Sequence, residues 1–171
     1  MHSDQTAHLE DRVLQHAAQT ALEGSDAIAT HLYLLDDCVL HGRAVAYEWQ
    51  YARKIHTARY VLDILGIADA TYIHIPVGKG SALDAVVEHK EASTTRNMFD
   101  LVFPALKKPW QKRMGRLLLK GGTRYLGLNE IVSLPLLTEE NVIGIMAYGN
   151  PQLSKLEQTN DEVTQHLLSL T

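Results

Sequence analysis

Two runs rich in β-branched and long aliphatic residues, 130–137 and 141–148, stand on either side of Thr138-Glu139-Glu140. A short polar turn between two such runs specifies a β-hairpin, and its strands are apolar enough to require burial. The rest of the chain must therefore supply the cover. It has the means, since 46% of its 171 residues are hydrophobic, enough for one substantial core.

The cover is legible as periodicity. Leu9, Val13, Ala17 and Ala21, flanked by Leu14, Ala18 and Leu22, recur at helical spacing and predict an amphipathic helix over about residues 4–23, ended by Gly24-Ser25. Residues 26–35 alternate as a strand, with Ile28, Thr30, Leu32 and Leu34 on one face and Ala29, His31, Tyr33 and Leu35 on the other. Asp36-Asp37 supplies a turn into a second strand over 38–47. Residues 49–65 return to helical spacing through Ala52, Ile55, Ala58, Leu62 and Leu65, with Gly66 as the stop. A strand over 71–77 then runs into Gly78-Lys79-Gly80-Ser81, and Ser81 with Asp84 forms a capping box for a short helix over 82–89.

A brief strand is expected over 92–95. Residues 97–119 read as a helix broken by Pro104 and Pro109 and closed by Gly121-Gly122. After the hairpin, Ser154 with Glu157 makes a second capping box for an exit helix over about 154–170. Neither a repeat nor an interdomain linker interrupts this order. The expectation is a single α+β domain over 1–171, with a central antiparallel sheet of five to six strands flanked by helices.

Composition narrows the class. The lone Cys38 can form neither an intramolecular disulfide nor a thiolate metal cluster within one chain, which suits a reducing compartment. Residues 1–10 lack the apolar core of a secretory signal, and no apolar run approaches the roughly 20 residues of a membrane span. A cytoplasmic, soluble protein without a membrane partner is expected. Net charge is −4, yet residues 101–129 hold seven bases and no acid; the remaining nine bases against 20 acids leave −11. That asymmetry marks an anion or partner site or, the preferred reading, a solvated basic helix face. Its aromatics, Phe103, Trp110 and Tyr125, lack the regular interleaving of a base-stacking platform, so direct nucleic-acid binding is not expected.

Ile131-Val132-Ser133-Leu134-Pro135-Leu136, a polar turn, then Val142-Ile143-Gly144-Ile145-Met146 resembles the signature hairpin of GAF domains. Residues 26–35 resemble the first GAF strand, residues 75–92 the Gly-x-Gly, helix and polar-loop element, and residues 153–157 the start of the final helix. The basic, proline-broken stretch 101–124 fits least well and resembles an enlarged loop. The resemblance implies a PAS-like sensor module: a small molecule held between sheet and connecting segments, and N- and C-terminal helices packed together and used for dimerisation. It also implies an effector, such as a kinase, cyclase, phosphodiesterase or transcription regulator, as in a two-component system. No output motif occurs in this sequence.

Specialised chemistries find little support in the residues. Gly78-Lys79-Gly80-Ser81 lacks the four-residue spacer of a phosphate-binding P-loop. No two of the nine histidines, and no His with Cys38, stand at a recurrent metal-ligand spacing, so no metal is expected. Nor does any nucleophile elbow, catalytic triad or carboxylate pair stand out, so no catalytic residue is assigned and an enzyme is not expected. Among GAF-type activities, covalent bilin attachment uses a Cys followed by His, whereas Val39 follows Cys38 here on an expected strand. Free methionine sulfoxide reduction needs several cysteines. The cyclic-nucleotide motif is missing at Asn97-Met98 and Phe99-Asp100. His31 or His74 could serve as an axial haem ligand, but a structural role is the preferred reading, so the cofactor is left open with haem not expected.

The function this supports is a non-enzymatic sensory domain that binds a small molecule and relays a signal through its terminal helices. Two alternatives stand beside it: a ligand-free dimerisation module, and a haem or redox sensor. The expected ligand site joins His31, Tyr33, Tyr72 and His74 on one sheet face to Arg96 and Arg113 on a covering segment. A homodimer is expected through Leu9, Val13 and Ala17 on the first helix with Val163, Leu167 and Leu170 on the last.

Overall fold

The computed structural model describes residues 2–67, 69–139 and 141–169, with side chains from Glu10 onward. It begins with helix α1, His2–Ser25, followed by strands β1, Ala29–Asp36, and β2, Val39–Tyr47. Their turn is Asp37 and Cys38, both at positive φ (43° and 59°), the backbone of a two-residue hairpin. Cys38, expected to begin the strand, is thus a turn residue, and it is exposed. Helix α2, Ala52–Ile64, follows a 3₁₀ turn at Trp49–Tyr51 and stops before Gly66, which adopts φ +81°.

The next strand is shorter than its composition suggests. Residues Ala70–Tyr72 form a 3₁₀ turn opened by Asp69, whose carboxylate accepts from the Thr71 N–H at 2.9 Å, and only His74–Pro76 pairs as β3. Helix α3, Ala82–His89, carries the expected box, since Asp84 accepts from the backbone N–H of Gly80 at 2.6 Å and of Ser81 at 3.1 Å. Strand β4 is Ser93–Thr95, helix α4 is Phe99–Val102, and helix α5 is Pro109–Leu126.

Helix α5 runs straight through Gly121-Gly122, which were expected to close it, and ends at Gly127 with φ +73°. Burial of Thr123 and Leu126 on its inner face explains the extension. Thr123 Oγ1 donates to the Leu119 carbonyl at 2.7 Å and accepts from the Met98 N–H at 3.1 Å, locking the extra turns to α4. That packing outweighs a glycine cost of about 1 kcal/mol per residue.

Strands β5, Ile131–Thr138, and β6, Asn141–Gly149, form the expected hairpin, and α6, Leu153–Leu168, closes the order. The exit helix starts before its expected cap at Ser154, because the Gln152 N–H is bound to the Ser25 carbonyl at 2.8 Å at the end of α1.

All pairings are antiparallel, in the order β3-β2-β1-β6-β5-β4. Pro135 is tolerated in β5 because β4 pairs only with residues 131–133, so the proline, paired with Ile145 of β6, has no strand on its other side. Alternation then assigns the two sheet faces. Leu32, Val132, Met146 and Tyr148 pack against α1 and α6, while Tyr33, Ile131, Ile145 and Ala147 face α3 and the α2–α5 side. On the first face Tyr148 donates its hydroxyl to Asn160 Oδ1 at 3.0 Å, and Asn160 Nδ2 donates to the Pro135 carbonyl at 2.9 Å, fastening α6 to the hairpin.

This packing corrects the expected dimer face. Ala17, Val163 and Leu167 lie in the core that α1 and α6 share with the sheet, and Val13 is half-buried beside them. The apolar stripe read as an intermolecular seam is instead covered within the chain. The Leu9 side chain and Leu170 lie outside the described residues.

Gly144 sits where β6 crosses β1, and any Cβ there would collide with the Tyr33 carbonyl oxygen, whereas a Cβ at Gly121 would meet nothing within 4 Å. The two glycines therefore respond oppositely to alanine. Gly144→Ala will lower stability by about 2 kcal/mol or more through overpacking, and Gly121→Ala will raise it by about 1 kcal/mol through helix propensity. Urea midpoints at constant m-value read both changes.

Candidate functional site

Between the sheet and the α2–α5 side lies a cavity of about 160 Å³. Its floor includes His31, Tyr33, Val45 and Ala147 from three neighbouring strands; its cover includes Ile55, Ala58 and Leu62 from α2. Leu101 of α4 with Leu119 and Leu126 of α5 close another side. Ala147 in the floor and Ala58 in the cover are short side chains, which leaves the space between them unfilled. The walls are chiefly aliphatic, and the polar side chains His31, Tyr33, Arg59 and Thr71 are contributed by β1, α2 and the 70–72 turn.

Gly42 makes that polar end possible. It bonds the Ile73 carbonyl through its N–H at 2.7 Å, and a Cβ there would strike the Thr71 carbonyl and come within 2.9 Å of His31 Nε2. Without a side chain in the way, the 70–72 turn reaches β1, and His31 Nε2 bonds the Thr71 carbonyl at 3.1 Å. Arg59 holds the same turn by donating to Thr71 Oγ1 at 3.1 Å.

Burial dominates the electrostatics. Desolvation lowers the His31 pKa from 6.5 to about 4, against the Thr71 carbonyl and Asp69, which favour the proton, and with Arg59, which opposes it. A neutral imidazole that bonds a carbonyl through Nε2 must carry its hydrogen there, so Nδ1 is left as an acceptor. The Tyr33 ring lies 4.1 Å from the His31 ring, centroid to centroid. Tyr33 is 2% exposed, and burial raises the pKa of its hydroxyl, which therefore stays a donor. That hydroxyl forms no hydrogen bond among the described residues. The site thus offers a ring-sized apolar volume with one donor and one acceptor.

His31 and Tyr33 are brought together as expected, but Tyr72 and His74 are not. Ile73 and Ile75 point into the core shared with Tyr33, so alternation turns Tyr72 and His74 to the opposite side, where they line an outer groove with Val13 and Leu167. There His74 Nδ1 lies 2.7 Å from His41 Nδ1. Arg96 and Arg113 are exposed and line no part of the cavity. Arg59 and Thr71 escaped sequence reasoning, as did the share of the cover that α2 provides. Gly42 within a strand was the available signal, since such a glycine marks close backbone approach.

The His31 shift has a definite sign. Above pH 6.5 the ring is neutral in both folded and unfolded chains; between 6.5 and about 4 only the unfolded chain takes up the proton. Stability attributable to His31 therefore falls on acidification, by roughly 3 kcal/mol across the whole window. The difference in unfolding free energy between wild type and His31→Gln, followed from pH 7.5 to 4, isolates this slope from the titrating carboxylates. A flat difference would contradict the burial of a neutral His31.

No family model matches the chain, and no curated protein does. Solved structures do. The GAF domain of a two-component sensor histidine kinase from Bacillus halodurans superposes with a TM-score of 0.55 at 12% identity, over 94% of this chain and 94% of that one. The PixJ GAF domain of Thermosynechococcus elongatus, in its blue-light absorbing form, gives 0.54 at 13% identity over 96% and 86%. A type II free methionine-R-sulfoxide reductase from Thermoplasma acidophilum gives 0.54 at 11% identity over 95% and 94%. Identities this low speak to architecture alone. The helix-flanked antiparallel sheet assembled around the 131–149 hairpin is the GAF-domain fold.

Proposed function

We propose that this chain is a non-enzymatic sensor domain that binds a small, mostly apolar molecule in the cavity beneath α2 and relays its presence through α1 and α6. The observation that carries this reading is the cavity itself, with the unpaired Tyr33 hydroxyl at an otherwise aliphatic wall. An apolar cavity of about 150 Å³ accommodates a benzene-sized body. The ligand is accordingly a single ring or short branched chain, with an acceptor for Tyr33 and a donor for His31. A tetrapyrrole is several times larger, and His31 Nε2 is already engaged, which disfavours a haem sensor.

Relay follows from strand geometry. Strand β1 places His31 and Tyr33 on the cavity side and Thr30 and Leu32 on the other, and Thr30 Oγ1 donates to the Ala18 carbonyl of α1 at 2.8 Å. A ligand that shifts β1 therefore pulls directly on the first helix, and α6 moves with it through their shared core. An effector in the same signalling protein, acting in the cytoplasm, is the natural recipient. Catalysis has no part in the reading: Cys38 sits at a hairpin tip and does not line the cavity, and no carboxylate lines it among the described residues.

A thermal-shift screen of substituted single-ring compounds tests it. At a hundredfold excess over Kd, binding contributes about 2.7 kcal/mol, a rise in Tm of about 5–10 °C for a chain of this size. Ala147→Leu, which fills the floor, will abolish the shift while leaving the ligand-free Tm equal or higher. Absence of any shift, or an equal shift in Ala147→Leu, would remove the cavity as the binding site.

A further inference from the structure

Helix α5 buries Gly115, Leu119, Thr123 and Leu126 on one side. Its opposite side exposes Trp110 (49%), Met114 (43%), Leu117 (67%) and Tyr125 (48%). These four fall on one stripe at helical spacing, with Trp and Tyr towards its two ends. Beside the stripe stand Arg113, Lys120 and Arg124, all exposed. They belong to the seven bases of residues 101–129, a stretch without a single acid in a chain of net charge −4. Among the described residues none of the seven forms a salt bridge. An outward face of Trp, Met, Leu and Tyr, basic along its flank and unneutralised, is the pattern of a helix lying in a lipid–water interface.

We propose that α5 docks this domain on an anionic membrane surface. Lying flat, its 18 residues span about 27 Å. Leu117 and Met114 enter the acyl boundary, the aromatic rings sit at headgroup depth, and the bases meet lipid phosphates. A second copy is a poorer occupant, because a two-fold interface on this face would set its bases against themselves. An acidic protein would meet the same charges, and failure of the full chain to bind anionic vesicles is the outcome that would favour it. The absence, among described residues, of a helix long and apolar enough to cross a bilayer concerns spanning only. The expectation of no membrane partner rested on that criterion, which a surface-lying helix does not need to meet.

Sedimentation of the full chain with phosphatidylcholine vesicles, with and without 30% phosphatidylglycerol, tests the proposal. Binding is expected to the anionic vesicles alone and to weaken with salt. Each base removed near an anionic surface lowers partitioning about five-fold, so Arg113→Glu/Lys120→Glu/Arg124→Glu will lose at least about a hundredfold. Trp110→Ser/Leu117→Ser will also lose binding while all charges remain. Circular dichroism confirms that both variants fold, as their exposed positions predict. No sedimentation, or sedimentation unchanged in either variant, overturns the proposal. So does a dimer in light scattering that Leu117→Ser breaks without any vesicle binding, which would assign the face to a second copy.

Discussion

Strand β1 is hydrogen-bonded on both edges, to β2 and β6, and covered on both faces along its first half, so the side chains of residues 30–33 are each committed to one packed environment or the other. Period-two alternation leaves no freedom in the assignment: Thr30 and Leu32 join the helical layer, His31 and Tyr33 the cavity. A slip of one residue would drive imidazole and phenol into the α1–α6 core and leave aliphatic groups at the polar end. The register of β1 thus fixes which layer of the molecule is tightly filled and which retains space. It also makes β1 the shortest physical path between the cavity and the first helix.

The two faces differ in how completely they are filled. On the helical side, large side chains interlock, and a polar network from Tyr148 to Asn160 to the Pro135 carbonyl sits beside the Thr30–Ala18 bond. On the other, short residues face each other across the gap, and a polar wall is held by Gly42, whose missing side chain admits the 70–72 turn. A layer with its buried polar groups paired, beside a looser one with an unpaired hydroxyl, suits a domain in which one half reports on what occupies the other.

Much of the fold could be read from residues because local and global signals agree. The hairpins, the entry and exit helices and the Ser81–Asp84 cap each carry their own turn or capping chemistry. Reading failed where tertiary packing overrode a local signal. Gly121-Gly122 has the composition of a helix stop, but the burial of Thr123 and Leu126 carries the helix onward. Stripes on α1 and α6 have the spacing of an intermolecular seam, yet spacing does not say whether the partner helix belongs to the same chain. At the site, His31 and Tyr33 were legible from strand alternation. Tyr72 and His74 were misplaced by treating neighbouring strands as one face without asking which side Ile73 and Ile75 would bury. Arg59 and Thr71 were missed because only tertiary contact across Gly42 brings their segments to β1.

The sensing role assigned to this domain depends on the cavity under α2 being an open apolar volume in the folded protein. Xenon, which enters dry cavities of this size without a chemical handle, probes that volume without presuming a ligand. Crystals pressurised with xenon should show a single strong site between Ala147, Ala58 and Leu119, with side chains unmoved. A cavity holding ordered waters in place of xenon, or closed by Leu119 and Met98 so that none enters, would mean that the domain has no apolar binding volume there.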